Sequence, residues 1–214
     1  MLSFAATMEL LASAGIPVAP YAMLDPAAEP APPSFGGPYV VKLADVPHRT
    51  DIGAVRLDVP ADQLAETVDE LRLLARGLQV PADVVIQSMI ATDGEAFLGI
   101  QGDSQLGALA VCGVGGILVE VLHTVGGALA PVSLADAQRA LDALEPAGVF
   151  DGQRGRPAWD RDGLADLFVA IGRLAEATKG WLASLDVNPL AVTSDGFVAL
   201  DGLCLLRSET QDAG

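Results

Sequence analysis

At 214 residues, half of them hydrophobic, the chain can build one large domain or two small lobes, and it is too apolar to be disordered throughout. Twenty-eight acidic against twelve basic residues give a net charge of −16, which excludes non-specific binding to nucleic acid or to an anionic membrane. That charge leaves room for a local cluster of donors that holds phosphates.

Residues 1–15 have no basic leader, and Glu9 interrupts their apolar stretch, so they do not read as a signal peptide. Residues 8–14 read instead as the end of a short helix, stopped at Gly15 and followed by a strand at 17–23. Five prolines and two glycines make 25–38 a loop. The run YVVKLA at 39–44 predicts a buried strand carrying one lysine, and 54–59 a second strand. Pro60 opens a helix over 61–77, with Leu64, Val68, Leu71 and Leu74 at helical spacing. A third strand is expected at 83–90. Consecutive antiparallel strands follow at 95–100, 106–113 and 117–122, broken by Gly102, Asp103 and the GVGG of 113–116.

The longest apolar run, 106–119, is glycine-rich and shorter than the roughly 20 residues that span a bilayer. A soluble, cytoplasmic protein is expected. Helices are predicted at 134–144 and 163–178, separated by the loop 151–160. The chain closes on a hairpin, 182–192 and 197–206, turned at Ser194–Asp195–Gly196. Strands and helices mix without strict alternation, which predicts an α+β fold with a lobe boundary near 90–94. Cys112 and Cys204 lie in apolar runs without metal-ligand spacing and read as buried thiols.

Three places stand out chemically. Lys42 is one of only two lysines against ten arginines, and a lysine inside VVKLA is costly to bury unless an anion meets it. The alternative is a lysine that snorkels from a strand edge. His48 lies in the polar segment HRTDIG at 48–53. Its imidazole can accept a phosphoryl group or act as acid or base, Arg49 can clamp phosphate, and Gly53 permits close backbone approach. The segment reads equally as a polar surface turn. Asn188 and Asp201 face each other across the closing hairpin and put oxygen donors among apolar strand residues, which suits Mg²⁺ with phosphates. Asn188 and Asp186 would otherwise cap a turn before Pro189. The GVGG run with Glu120, the lone His123, and the Arg154–Arg156 pair carry weaker signals.

In order, AGIPV (14–18), VVKL (40–43), HRTDIGAVRL (48–57), VIQSM (85–89), GEAFLGI (94–100), GVGGILVEVL (113–122), DGQRG (151–155) and LDVNPLAV (185–192) resemble the ATP-grasp domain of ADP-forming acetyl-CoA synthetases. These are relatives of succinyl-CoA synthetase, and the likeness runs from about residue 8 to 206. The resemblance implies an ATP-grasp fold of two α+β lobes, 1–90 and 91–214, with the nucleotide held between them. It implies the reaction acyl-CoA + ADP + phosphate ⇌ acid + CoA + ATP, run through an acyl phosphate and a phosphohistidine.

Carried over by position, the resemblance assigns Lys42 to the nucleotide phosphates and Ile86, Gln87, Ser88 and Met89 to the adenine hinge. Glu95 falls on the ribose side, Asn188 and Asp201 become Mg²⁺ ligands, and His48 the phosphoryl relay. ATP or ADP and Mg²⁺ are the implied cofactors. The implied partner is a CoA-binding, acyl-phosphate-forming subunit or domain in a hetero-oligomer. Departures from the family pattern are Arg49 for a lysine, Gly53-Ala54 for a glycine pair, and Asp103-Ser-Gln-Leu-Gly107 for an Asp-Pro-x-Phe-Gly turn. Thr124 and Ala128 likewise replace an Asp and an Arg, and the proline-rich loop replaces a helix. A non-catalytic regulatory module that binds nucleotide or a partner is the alternative reading.

Overall fold

The computed structural model describes residues 1–46, 49, 52–103, 107–116, 124–152 and 157–207. The backbone groups into two compact units. One comprises Ser3–Ala5 and Ala19–Ala91; the other comprises Met1–Leu2, Ala6–Val18 and Thr92–Gly214.

The smaller unit holds a four-stranded antiparallel sheet of β1 (Tyr21–Leu24), β2 (Tyr39–Leu43), β3 (Val55–Val59) and β4 (Val84–Ser88), in the order β1-β4-β2-β3. Helix α2 (Leu64–Leu78) follows a single 3-10 turn at Ala61–Gln63. Leu64, Val68, Leu71 and Ala75 recur at helical spacing and are buried with Val41, Leu43, Val84 and Ile86 of the sheet. Each buried leucine there contributes about 1.5–3 kcal/mol of transfer free energy. The helix ends at Gln79, whose left-handed backbone returns its N–H to the carbonyls of Ala75 and Arg76.

The larger unit holds a six-stranded antiparallel sheet. Its members are β5 (Gly94–Asp103), β6 (Gly107–Val114), β7 (Val125–Leu129), β8 (Leu182–Thr193), β9 (Gly196–Ala199) and β10 (Leu203–Leu206). The path runs β10-β8-β5-β6-β7, with β9 also on β8. Helix α1 (Phe4–Ser13) belongs to this unit from Ala6 onward. Helix α3 (Leu134–Asp142) starts at a capping box in which Ser133 and Asp136 satisfy each other's backbone N–H. Helix α4 (Arg161–Thr178) starts at Asp160, whose carboxylate accepts from the Gly163 N–H. Where α3 crosses β7, a side chain at Gly126 would lie 2.0 Å from the Ala140 carbonyl oxygen, so only glycine permits that approach.

The α+β reading and most elements agree with the sequence; the differences have local causes. The expected strand at 17–23 shrinks to β1, because Pro17 and Pro20 have no N–H to give a ladder. Pro17 instead accepts a hydrogen bond from Ala199, beside a lone parallel bridge from Val18. Strand β7 was not anticipated, since Gly126, Gly127 and Ala128 have little strand propensity. The returning arm of the closing hairpin is two strands rather than one, interrupted at 200–202. The expected strand at 117–122 lies outside the described residues. Among those residues no helix is long and apolar enough to cross a membrane. Cys112 and Cys204 are buried free thiols, as their apolar runs predict.

Candidate functional site

The predicted site residues fall on both units, and each set has its own geometry. In the smaller unit, Lys42 sits on the central strand β2, paired with Val85 of β4 and Val55 of β3. Strand alternation explains its burial. Tyr39, Val41 and Leu43 enter the core under α2, which turns Val40 and Lys42 to the opposite face. Val84 and Ile86 likewise enter the core and turn Val85 and Gln87 to that opposite face, where Gln87 stands across from Val40 and Tyr21. Lys42 is only 4% exposed and Gln87 only 2%.

Helix α1 delivers one more side chain to this face. The Phe4 ring lies 4.7 Å from the Lys42 ammonium, 5.6 Å from the Arg49 guanidinium carbon, and edge-on to Tyr21 at 5.2 Å. The Phe4 N–H donates to Asp45 Oδ1 at 2.5 Å. Sequence reasoning passed over Phe4, because a helix-terminal phenylalanine carries no chemical signature of its own.

The segment Ile86–Met89 is divided by this pleat. Ile86 points into the core, whereas Gln87 points to the lysine face. The N–H groups of Ser88 and Met89 donate to the carbonyls of Pro20 and Pro38. His48 lies outside the described residues, as do Glu120, His123, Arg154 and Arg156.

In the larger unit Glu95 is the second residue of β5, opposite Ala191, and its backbone carbonyl accepts from the Gly115 N–H at 2.6 Å. Its carboxylate lies over Gly116, where a side chain would come within 2.9 Å of Oε2. A side chain at Gly115 would meet the Ala96 carbonyl oxygen at 2.9 Å. Gly115 and Gly116 thus permit a close approach to Ala96 and Glu95.

Asn188 and Asp201 are brought together by the closing hairpin. The register places Leu190 against Ala199 and Asp186 against Leu203, and Pro189 accepts from the Leu200 N–H, so 200–202 lie beside 187–189. A bulge sets the local geometry: between Ala96↔Leu190 and Leu98↔Val187, β8 carries one residue more than β5. Val187 and Leu190 are thereby both buried while Asn188 is exposed between them. Gly202 lets α1 come close, since a side chain there would touch Thr7, Met8 and Leu11.

Asp186, two positions before Asn188, completes the set. Its carboxyl titrates above the usual carboxylate range, raised first by burial and then by the neighbouring Asp201 charge. The sequence offered Asp186 only as a turn cap, because the proximity of two acids fifteen positions apart is a property of the hairpin register. Three oxygen-bearing residues, Asp186, Asn188 and Asp201, thus lie where the middle of β8 faces the break between β9 and β10. No cluster of three or more His, Cys, Asp or Glu able to hold a metal occurs among the described residues. Two carboxylates and an amide suit a hard cation that keeps water and phosphate among its ligands, as Mg²⁺ does.

Comparison with known proteins follows the same lines. The ATP-grasp domain family matches residues 1–205. The ADP-forming acetate–CoA ligase I of Archaeoglobus fulgidus is 30% identical over 210 residues, which is 94% of this chain and 30% of that protein. The beta subunit of the ADP-forming acetate–CoA ligase I of Pyrococcus furiosus is 29% identical over 178 residues, 80% of this chain and 76% of that subunit. In three dimensions the chain resembles the dinucleotide-forming acetyl-coenzyme A synthetase 1 of Ca. Korarchaeum cryptofilum, solved with coenzyme A, Ca-AMPCP and HgCl⁺. The TM-score is 0.87 at 23% identity, over 96% of this chain and 93% of that one, a likeness of fold. The chain spans under a third of the Archaeoglobus ligase and about three quarters of the Pyrococcus subunit.

Proposed function

This chain belongs to the ATP-grasp domain family, and we propose that it is the nucleotide-binding part of an NDP-forming acyl-CoA synthetase, moving a phosphoryl group between a phosphohistidine and ADP. One observation carries this reading: Asp186, Asn188 and Asp201 gather oxygen donors, two of them mutually repelling carboxylates, at the closing hairpin. A cation bound there relieves that repulsion, and its phosphate ligands would be those of a nucleotide. The ligase names of the relatives support this reading over a regulatory module.

Within it, Asn188 and Asp201 hold Mg²⁺, which neutralises phosphate charge when bound. Lys42 supplies a compact ammonium to phosphate oxygens, and Gln87 shares its face of the sheet. Ser88 and Met89 line the adenine side, with Ile86 fixing the strand from the core, and Glu95 takes the ribose. His48 is the nucleophile: its ring nitrogen forms the N–P bond as the bond from phosphorus to the bridging oxygen of ATP breaks, leaving ADP, and the reverse step makes ATP. Acyl phosphate and CoA chemistry belong to a partner subunit or domain, in line with the beta-subunit status of the Pyrococcus relative.

Labelling tests the proposal. Incubation with γ-³²P-ATP and Mg²⁺, alone and with a co-expressed CoA-binding partner, should give an acid-labile, base-stable label that His48→Asn lacks while still binding ATP. A label that persists in His48→Asn moves the relay elsewhere. No label in the unaltered chain, even beside its partner, overturns the ligase reading.

A further inference from the structure

We propose that Phe4 is a positioning residue that gathers Lys42 and Arg49 into one cationic grip for the phosphates of a nucleoside diphosphate. The proposal rests on the reading of Lys42 as a phosphate ligand and adds the device that aims it. Both cationic groups lie within about 6 Å of the ring, the range in which a cation is held by the negative face of an arene. The ring is itself fixed from two sides, by the Phe4 N–H on Asp45 and by its edge-on contact with Tyr21. Phe4 is 2% and Lys42 4% exposed, so water screens their attraction little.

The arrangement is unusual for a core phenylalanine. One aromatic ring lies against two cationic groups of like sign. A diphosphate offers oxygens to a compact ammonium and to a planar guanidinium at once. Lys42 comes from the central strand and Arg49 from beyond its end, and the ring is the contact that the two cations share. Holding both before the ligand arrives removes an ordering cost from binding.

The test uses the full chain, Mg–ADP titrated by calorimetry, and carbon-13-labelled lysine observed by NMR. Only Lys42 and Lys179 contribute lysine signals, and Lys42→Met identifies which is which. The side-chain protons of Lys42 should be shifted upfield by the Phe4 ring. Phe4→Leu and Phe4→Met, which keep apolar bulk, should lose that shift and bind Mg–ADP roughly five- to thirtyfold more weakly. Phe4→Tyr, which keeps the arene, should retain both. In a Lys42→Met background Phe4→Leu should lose most of its effect, whereas a merely structural Phe4 would weaken binding equally in both backgrounds.

The proposal is overturned if folded Phe4→Leu and Phe4→Met bind Mg–ADP as the unaltered chain does. It is also overturned if the Lys42 signal shows no ring shift to begin with. Unchanged affinity in Lys42→Met sinks instead the assignment of Lys42 to phosphate, an outcome separable from the ring shift, which is read without nucleotide.

Discussion

The Asp201 carboxylate opposes the ionisation of Asp186: burial first, and the Asp201 charge second, raise the Asp186 carboxyl above its ordinary range. A carboxyl whose folded pKa is raised destabilises the fold once pH exceeds its unfolded value, and the full penalty stands above the folded one. Asp186→Asn should therefore raise the melting temperature of the metal-free chain at pH 7.5, by roughly 1–3 °C given the solvent exposure of the site. The gap should close as pH falls through the carboxylate range. Melting curves across that range check both the sign and the window. A variant that melts lower than the unaltered chain at pH 7.5 would mean that Asp186 is held by attraction instead.

Asn188→Ala and Asp201→Ala should each reduce the extra thermal stability that ATP confers in the presence of Mg²⁺. The double variant should lose less than the sum, because both side chains act on one ion. Melting with ATP, with and without excess EDTA, measures this. Stabilisation by ATP that is indifferent to EDTA would overturn the assignment of these residues to a metal.

Two glycines predict opposite outcomes. Gly126→Ala drives a methyl into the Ala140 carbonyl at 2.0 Å, a backbone atom that cannot rotate aside, and should cost about 2–4 kcal/mol. Gly77→Ala, in the last turn of α2 with open space around it, should stabilise by about 0.5–1 kcal/mol. Urea unfolding of both against the unaltered chain decides the matter.

The Cys112 thiol is pushed up to about 12 by burial, so at pH 8 it remains protonated and shielded. Cys204 is also raised by burial. Neither should react with a disulfide reagent at pH 8 until denaturant opens the sheet, after which two thiols per chain should titrate. Rapid reaction in buffer would contradict the packing of β6 and β10.

Much of the fold was legible in the sequence because its signals are local. The helical spacing of Leu64, Val68 and Leu71, the glycine stop after α1, the prolines of the 25–38 loop and the turn before Gly196 each act within a few residues. Lys42 was conspicuous because a rare charge inside an apolar strand contradicts the surrounding pattern. Only tertiary structure could pair Asp186 with Asp201, since that proximity depends on how β8 meets the β9–β10 link. The same holds for the bulge that exposes Asn188 between two buried residues, which exists only relative to the register of β5. Strand β7 is likewise defined by what packs on it, not by its own weak propensity. Phe4 is the clearest case: its sequence signal is that of any helix residue, and its place beside Lys42, thirty-eight positions away, arises only when the smaller unit folds. Local hydrophobic periodicity specifies elements, whereas the meeting of distant polar groups is decided by strand register and helix docking.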